Sequence, residues 1–85
     1  MDDLPANRLR LLIVENDRVT ARDLEATLRR RGFIVEGIAY SAEQAEDLVK
    51  EKNPDFVLLD IQLGEGNEGI ELARSIREAH NVPAI

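Results

Sequence analysis

Two apolar runs that each end in a carboxylate side chain most constrain the fold of this chain. Residues 11–14 read Leu-Leu-Ile-Val and lead into an acidic cluster that starts at Glu15, and residues 56–59 read Phe-Val-Leu-Leu and lead into Asp60. Apolar runs of this length are typical of strands in a parallel sheet, which is covered on both faces. Parallel strands bring their carboxyl ends to one edge of the sheet, so we expect the acidic residues to meet there.

Strand and helix patterns alternate along the rest of the chain. Capping residues predict helix starts at Asp17, Ser41 and Asn67. Ser41 and Gln44 have the spacing of a capping box, and Gly32 is well placed to end the first helix. The predicted strands are residues 9–14, 33–38, 56–59 and 82–85. This βαβαβαβ order predicts an α/β fold with a parallel sheet and right-handed crossovers.

Length and charge limit the possible functions. The 85 residues suffice for one domain with a small core. The net charge of −6 argues against nucleic-acid binding, which requires a basic face. No apolar stretch is long enough to span a membrane, and the short acidic start is not a signal peptide. We therefore expect a cytoplasmic protein in which residues 1–8 form a leader.

The carboxylates at the predicted sheet edge must share protons or hold a cation, because crowded negative charges repel one another. Asp60 directly follows four apolar residues, so its carboxylate should be partly desolvated and need a partner. We interpret the cluster as a divalent-cation or phosphoryl-transfer site. Each member also has a simpler structural role available, such as helix capping by Asp17. Gln62 could turn its backbone carbonyl or its amide toward a cation beside Asp60.

The glycines Gly64, Gly66 and Gly69 spell G-x-G-x-x-G, the pattern of a dinucleotide-binding turn. Four residues separate the apolar run from the first glycine, whereas in that turn the strand leads almost directly into it. Asp60 and Glu65 would also repel a pyrophosphate. We therefore interpret these glycines as a permissive loop.

Five segments carry a pattern that is specific when they are taken together. They are LLIVEND at 11–17, RGF at 31–33, PDFVLLDIQL at 54–63, GIEL at 69–72 and VPAI at 82–85. In these segments the chain resembles the receiver domains of bacterial two-component response regulators. The resemblance implies a flavodoxin-like parallel sheet with helices on both faces and strand order 2-1-3-4. It also implies that residues 9–85 are the N-terminal two-thirds of such a domain, so that the fold is incomplete.

The resemblance implies a role for each member of the acidic cluster. Asp60 corresponds to the phosphoacceptor, whose carboxylate attacks the phosphohistidine of a sensor histidine kinase or a histidine phosphotransfer domain. Glu15 and Asn16 correspond to the acidic pair that binds Mg²⁺ together with Asp60, and the backbone carbonyl of Gln62 joins the same ligand set. Asp17 is an additional candidate ligand, although capping competes for its carboxylate. The implied protein is a regulatory phosphoacceptor and not an enzyme.

The chain also departs from the family pattern. Asn16 is neutral where the family usually has a metal-binding carboxylate, which should weaken Mg²⁺ binding. Gly64 replaces a usual proline, and one extra residue precedes Gly69, so we expect a more mobile loop. The family's Ser or Thr and its Lys, which stabilise the phosphoryl group, would follow the predicted fourth strand and are not among these residues. We therefore expect slow or absent phosphotransfer and self-association through an open fourth strand.

Two other functions remain as alternatives. The first is a degenerate receiver-like interaction module that is never phosphorylated, which Asn16 favours and Asp60 opposes. The second is a phosphohydrolase with an aspartate nucleophile. Such an enzyme needs a second carboxylate two residues after the nucleophile, and Gln62 occupies that position.

Overall fold

Strands and helices alternate along the described part of the chain. The computed structural model describes residues 8–59 and 68–85. The elements are β1 (Arg10–Val14), α1 (Arg18–Arg30), β2 (Ile34–Ala39), α2 (Ala42–Lys52), β3 (Phe56–Leu59) and α3 (Glu68–His80). Among these described residues, no helix is both long enough and apolar enough to cross a membrane.

The sheet is parallel, with β1 at its centre and the order β2-β1-β3. The predicted fourth strand lies beside β3, as expected, but it forms a single bridge between Ala84 and Val57. The N–H of Ile85 donates to the carbonyl of Val57, and the N–H of Leu59 donates to the carbonyl of Ile85, each at 2.9 Å. Pro83 has no N–H with which to extend this ladder toward its start.

The side chains of β1 alternate between two hydrophobic clusters, one on each face of the sheet. Leu11 and Ile13 pack on the α1 side, in a cluster that includes Val35 and, from the helix, Leu24 and Leu28. Leu12 and Val14 point to the opposite face, which α2 and α3 cover. That cluster also contains Ala39, Ala45, Val49, Val57, Leu59, Leu72, Ile76 and Val82. The prediction of helices on both faces is therefore confirmed.

Helix α1 begins and ends at the predicted residues. Asp17 is its N-cap, with a side chain that accepts a hydrogen bond from the N–H of Thr20. At the other end Gly32 adopts a positive φ of 95°. The N–H groups of Gly32 and Phe33 donate to the carbonyls of Arg29 and Leu28, the bonding pattern of a Schellman motif. Strand β2 begins at Ile34, one residue later than predicted, because the N–H of Phe33 is used in this cap.

Helix α2 has a variant of the predicted capping box. The Ser41 hydroxyl accepts the N–H of Gln44 at 3.2 Å, as a capping box requires. The Gln44 side chain reaches back one residue further than in the standard box and accepts the N–H of Tyr40 at 2.8 Å. At the far end Asn53 closes the helix in the left-handed conformation, with a φ of 48°.

Arg10, at the start of β1, joins three other parts of the fold. Its side chain donates to the Glu36 carboxylate at 2.8 Å and to the carbonyls of Lys52 and Asn53 at 2.5 and 3.1 Å. Its backbone N–H donates to the Asp55 carboxylate at 2.8 Å. Glu36 lies at the register shift of the β1–β2 ladder, where Val35 pairs with Leu11 and the residue after Glu36 pairs with Leu12. Arg10 therefore fixes this bulge and the end of α2 to the central strand.

Candidate functional site

The carboxylate of Glu15 is buried at the carboxyl end of the central strand. Glu15 directly follows β1, and its backbone N–H donates to the carbonyl of Ala39 at 3.0 Å, which extends the ladder to β2 by one residue. Only 3% of the residue is exposed. One carboxylate oxygen accepts the backbone N–H of Asp17 at 2.9 Å. The loop that follows β1 thus orients a buried acidic side chain at the edge where the sequence predicts the site.

The two residues after Glu15 are exposed and differ in how their side chains are used. Asp17 caps α1 and accepts hydrogen bonds from both the N–H and the hydroxyl of Thr20. These two bonds, the hydroxyl bond first, lower the pKa of Asp17 below its ordinary value, because they stabilise the charged carboxylate. Asn16 lies between the two acidic residues and is exposed to solvent. The capping role predicted for Asp17 is confirmed, and both hydrogen bonds go to one oxygen, Oδ2, of the carboxylate that was an additional candidate ligand.

Strand β3 ends beside β1, because Leu59 pairs with Val14. The carboxyl ends of the two strands therefore lie next to one another, as the sequence predicts. Asp60 and Gln62 lie outside the described residues, so their roles stay predictions. Within residues 8–59 and 68–85 there is no group of three or more His, Asp or Glu side chains that could hold a metal ion.

The described residues at this edge offer oxygen donors, the type of ligand that Mg²⁺ binds. Glu15 supplies a buried carboxylate and Asn16 an exposed amide, and Mg²⁺ takes oxygen ligands while keeping several waters. The predicted ligand set includes one more carboxylate, which lies outside this part of the chain. The predicted set supplies it as Asp60.

A cavity of about 270 Å³ lies between the ends of β1 and β3 and the first turns of α1. Glu15 is the only acidic side chain among its described lining residues, and the others are mainly apolar. They are Val14, Thr20, Leu24, Leu58 and Leu59. This apolar wall reduces the access of water to the Glu15 carboxylate, which strengthens its interaction with any nearby charge.

One contact at this edge was not predicted from the sequence. The guanidinium of Arg18 lies over the ring of Tyr40, 4.0 Å from its centroid. Arg18 is the first residue of α1, and Tyr40 directly follows β2. Tyr40 is half-buried at the turn between β2 and α2. The sequence signal that could have indicated this contact is that both residues follow the carboxyl ends of neighbouring parallel strands.

Comparison with known proteins points to a single family. Residues 11–85 match the family described as the response regulator receiver domain. The signal receiver domain of a modulated diguanylate cyclase from Desulfovibrio desulfuricans is similar, with 32% identity and a TM-score of 0.83 over 91% of this chain and 62% of that one.

Two structures of the regulator PhyR are also similar to this chain. The response regulator PhyR from Brucella abortus has 34% identity and a TM-score of 0.80, over 93% of this chain and 34% of that one. The anti-anti-sigma factor PhyR from Bartonella quintana, solved in complex with the anti-sigma factor NepR, has 29% identity and a TM-score of 0.82. The match covers 92% of this chain and 32% of that one. The chain spans less than two-thirds of the length of each of these three structures.

Proposed function

The chain belongs to the response regulator receiver domain family, a family of regulatory domains, and on that premise we propose that Asp60 accepts a phosphoryl group in two-component signalling. The donor is a phosphohistidine on a sensor histidine kinase or a histidine phosphotransfer domain. A carboxylate oxygen of Asp60 forms the new O–P bond as the N–P bond of the donor breaks, and the electron pair stays on the imidazole. The single observation that carries the proposal is the buried Glu15 at the carboxyl end of β1, beside the end of β3.

The proposed site for Mg²⁺ uses oxygen donors from two neighbouring strand ends. Glu15, Asn16, Asp60 and the backbone carbonyl of Gln62 would hold the ion, and Asp17 is an additional candidate. When bound, Mg²⁺ offsets the repulsion between the acceptor carboxylate and the incoming phosphoryl oxygens. The hydrogen bond from the Asp17 N–H orients one Glu15 oxygen, and the burial of this carboxylate strengthens its attraction to a cation.

A second candidate function is a receiver-like interaction module that is not phosphorylated. It is favoured by the use of Asp17 as a helix cap, because the Oδ2 atom that accepts from Thr20 is then less available as a ligand in place of the neutral Asn16. The similar PhyR from Bartonella quintana binds a protein, the anti-sigma factor NepR. By analogy, the partner of an unphosphorylated module would also be a protein.

We assign residues 9–85 to the N-terminal two-thirds of the receiver unit and residues 1–8 to a leader. We also assign the chain to the bacterial cytoplasm, where histidine kinases present their phosphohistidines. Its net charge of −6 supports a protein partner over a nucleic acid. We also propose that the segment 82–85, which pairs with β3 through Ala84 and Val57, takes part in self-association.

Labelling by a small acyl phosphate donor tests the phosphoacceptor role. We expect slow, Mg²⁺-dependent addition of one phosphoryl group, measured by intact-protein mass spectrometry, and loss of the label in hydroxylamine, as an acyl phosphate requires. Asp60→Asn should abolish labelling, whereas the matched control Asp47→Asn, at an exposed position on α2, should not change it. Glu15→Gln should lower the labelling rate because it removes a ligand charge.

Two results would count against the phosphoacceptor. The first is a label that persists in Asp60→Asn. The second is a wild-type protein that, after long incubation with donor and Mg²⁺, carries no more label than Asp60→Asn. The second result would favour the unphosphorylated module.

A further inference from the structure

The contact between Arg18 and Tyr40 joins two elements that are distant in the sequence. The guanidinium lies 4.0 Å from the ring centroid, well within the range of a cation–π interaction. Arg18 is exposed and Tyr40 is half-buried, so the ring is held by the fold and the arginine closes over it from outside. The contact thus joins the start of α1 to the end of β2 at the carboxyl edge of the sheet.

Tyr40 is a fixed platform for this contact. Its backbone N–H donates to the side chain of Gln44 at 2.8 Å, and the next residue, Ser41, is the N-cap of α2. Ala39, directly before it, accepts the N–H of Glu15 in the sheet ladder. The position of the ring is therefore set by the sheet on one side and by α2 on the other.

Arg18 is connected to the Glu15 carboxylate through a short path. It follows Asp17, whose backbone N–H donates to a carboxylate oxygen of Glu15 at 2.9 Å. The carbonyl of Asp17 accepts the first helical hydrogen bond, from the N–H of Ala21 at 2.9 Å. A shift of the first turn of α1 would therefore move the Asp17 N–H that orients Glu15. It would also move the exposed Asn16, which lies between Glu15 and Asp17 in the sequence.

We propose that Arg18, held by the ring of Tyr40, is a positioning residue for the Mg²⁺ ligands in the loop 15–17. This inference rests on the proposed function, since it concerns the same site. Arg18 itself is not a ligand, because a guanidinium carries only hydrogen-bond donors and a positive charge. Its contribution is to hold Glu15 and Asn16 in the arrangement that binds the cation.

The charge of Arg18 and its positioning role should affect Mg²⁺ affinity in opposite directions. A positive charge close to a cation site repels the cation, so removing this charge alone should strengthen Mg²⁺ binding. Loss of positioning should weaken binding. Substitution at Tyr40 removes the platform and leaves the charge of Arg18 unchanged, so it isolates positioning. The matched pair is Tyr40→Leu, which loses the aromatic face, and Tyr40→Phe, which keeps it.

The experiment is a Mg²⁺ titration of the wild type and the Tyr40 variants, monitored by the NMR amide signals of Glu15 and Asn16. An exposed cation–π contact corresponds to about a twofold to fivefold change in an equilibrium constant. We therefore expect Tyr40→Leu to weaken Mg²⁺ binding by about this factor and Tyr40→Phe to bind like the wild type. Arg18→Lys should also weaken binding, because it keeps the charge but loses the planar group that stacks on the ring.

A control variant separates positioning from general loss of stability. Gly32→Ala strains the opposite end of α1, where the backbone has a φ of 95°, and it should lower stability without changing Mg²⁺ affinity. If Tyr40→Leu binds Mg²⁺ like the wild type, or if Gly32→Ala weakens binding equally, the positioning role is wrong while the proposed function stands. If the wild type shows no Mg²⁺-dependent shift at Glu15 or Asn16, the proposed metal site itself is wrong.

Discussion

Replacing Ile76 with alanine tests whether α3 is docked on the sheet as described. The Ile76 side chain is fully buried and packs in the cluster that includes Val57, Leu72 and Val82. The substitution removes three carbon atoms, which is a loss of about 2.4 kcal/mol in transfer free energy at about 0.8 kcal/mol each. The remaining cavity adds to this loss, so we expect the free energy of unfolding to fall by about 3–4 kcal/mol.

This loss is a large part of the stability that a chain of this size can have. At about 0.05–0.15 kcal/mol per residue, 85 residues have a free energy of unfolding of roughly 4–13 kcal/mol. We expect urea denaturation, followed by far-ultraviolet circular dichroism, to show a much lower midpoint with an unchanged slope. Ile76→Val should cost about 1 kcal/mol and provides a measurable variant if the alanine variant is unfolded.

The matched control is Ile70→Ala on the same helix. Ile70 is 57% exposed, so the same three carbon atoms lose less than half as much buried surface, and we expect a cost of at most about 1 kcal/mol. Both substitutions replace isoleucine with alanine on the same helix, so the main difference between them is burial. Equal losses at the two positions, or a loss below about 1 kcal/mol for Ile76→Ala, would refute the described docking of α3.

Three further predictions concern the ends of the elements. Gly32→Ala should lower the free energy of unfolding by about 1 kcal/mol or more in urea denaturation, because φ is positive there; an unchanged midpoint would contradict the described cap. Because the pKa of Asp17 is lowered in the folded state, its charged carboxylate stabilises the fold at pH values above its ordinary pKa of 3.8. This stability is lost as the pH falls through the lowered pKa. Asp17→Asn keeps a capping oxygen but loses the charge, so it should be less stable than the wild type at neutral pH, with the difference shrinking in strong acid; denaturation midpoints across pH would show a constant difference if the charge of Asp17 were irrelevant. Arg10→Met should lower the thermal midpoint, because it leaves Glu36 and two carbonyls at the end of α2 without their donor, whereas Arg22→Met at an exposed site on α1 should not.

The sheet and its helices could be predicted because their signals are local. The run 11–14 alternates between two buried faces, and a residue buried on either face must be apolar, so the strand appears as an uninterrupted apolar segment. Asp17 and Gly32 mark the ends of α1 because capping depends on residues within one turn of the helix. Boundaries were less accurate, as at Phe33, where one backbone N–H serves the helix cap and not the strand.

Contacts between distant residues could not be predicted in this way. No local signal identifies the partners of Arg10, such as Glu36 and the end of α2, because they are 26 to 43 residues away in the sequence. The same holds for Arg18 and Tyr40, which meet only because parallel pairing aligns the ends of β1 and β2. The position of Glu15 at the site edge was predicted, and its almost complete burial is a result of the structure. The phosphoacceptor and ligand roles of Asp60 and Gln62 stay predictions.

The two ends of β1 place charged side chains in different surroundings. At its start the charge of Arg10 is matched by the Glu36 carboxylate and by carbonyls of α2, and the pair remains partly exposed, so little desolvation opposes it. Directly after its end, Glu15 brings a carboxylate into a nearly fully buried position beside a mainly apolar cavity, where one carboxylate oxygen accepts the N–H of Asp17. A cation bound there by the folded chain alone would stabilise the fold in proportion to its affinity. The same central strand thus anchors the sheet at one end and leads, at the other, into the buried carboxylate of the proposed magnesium site.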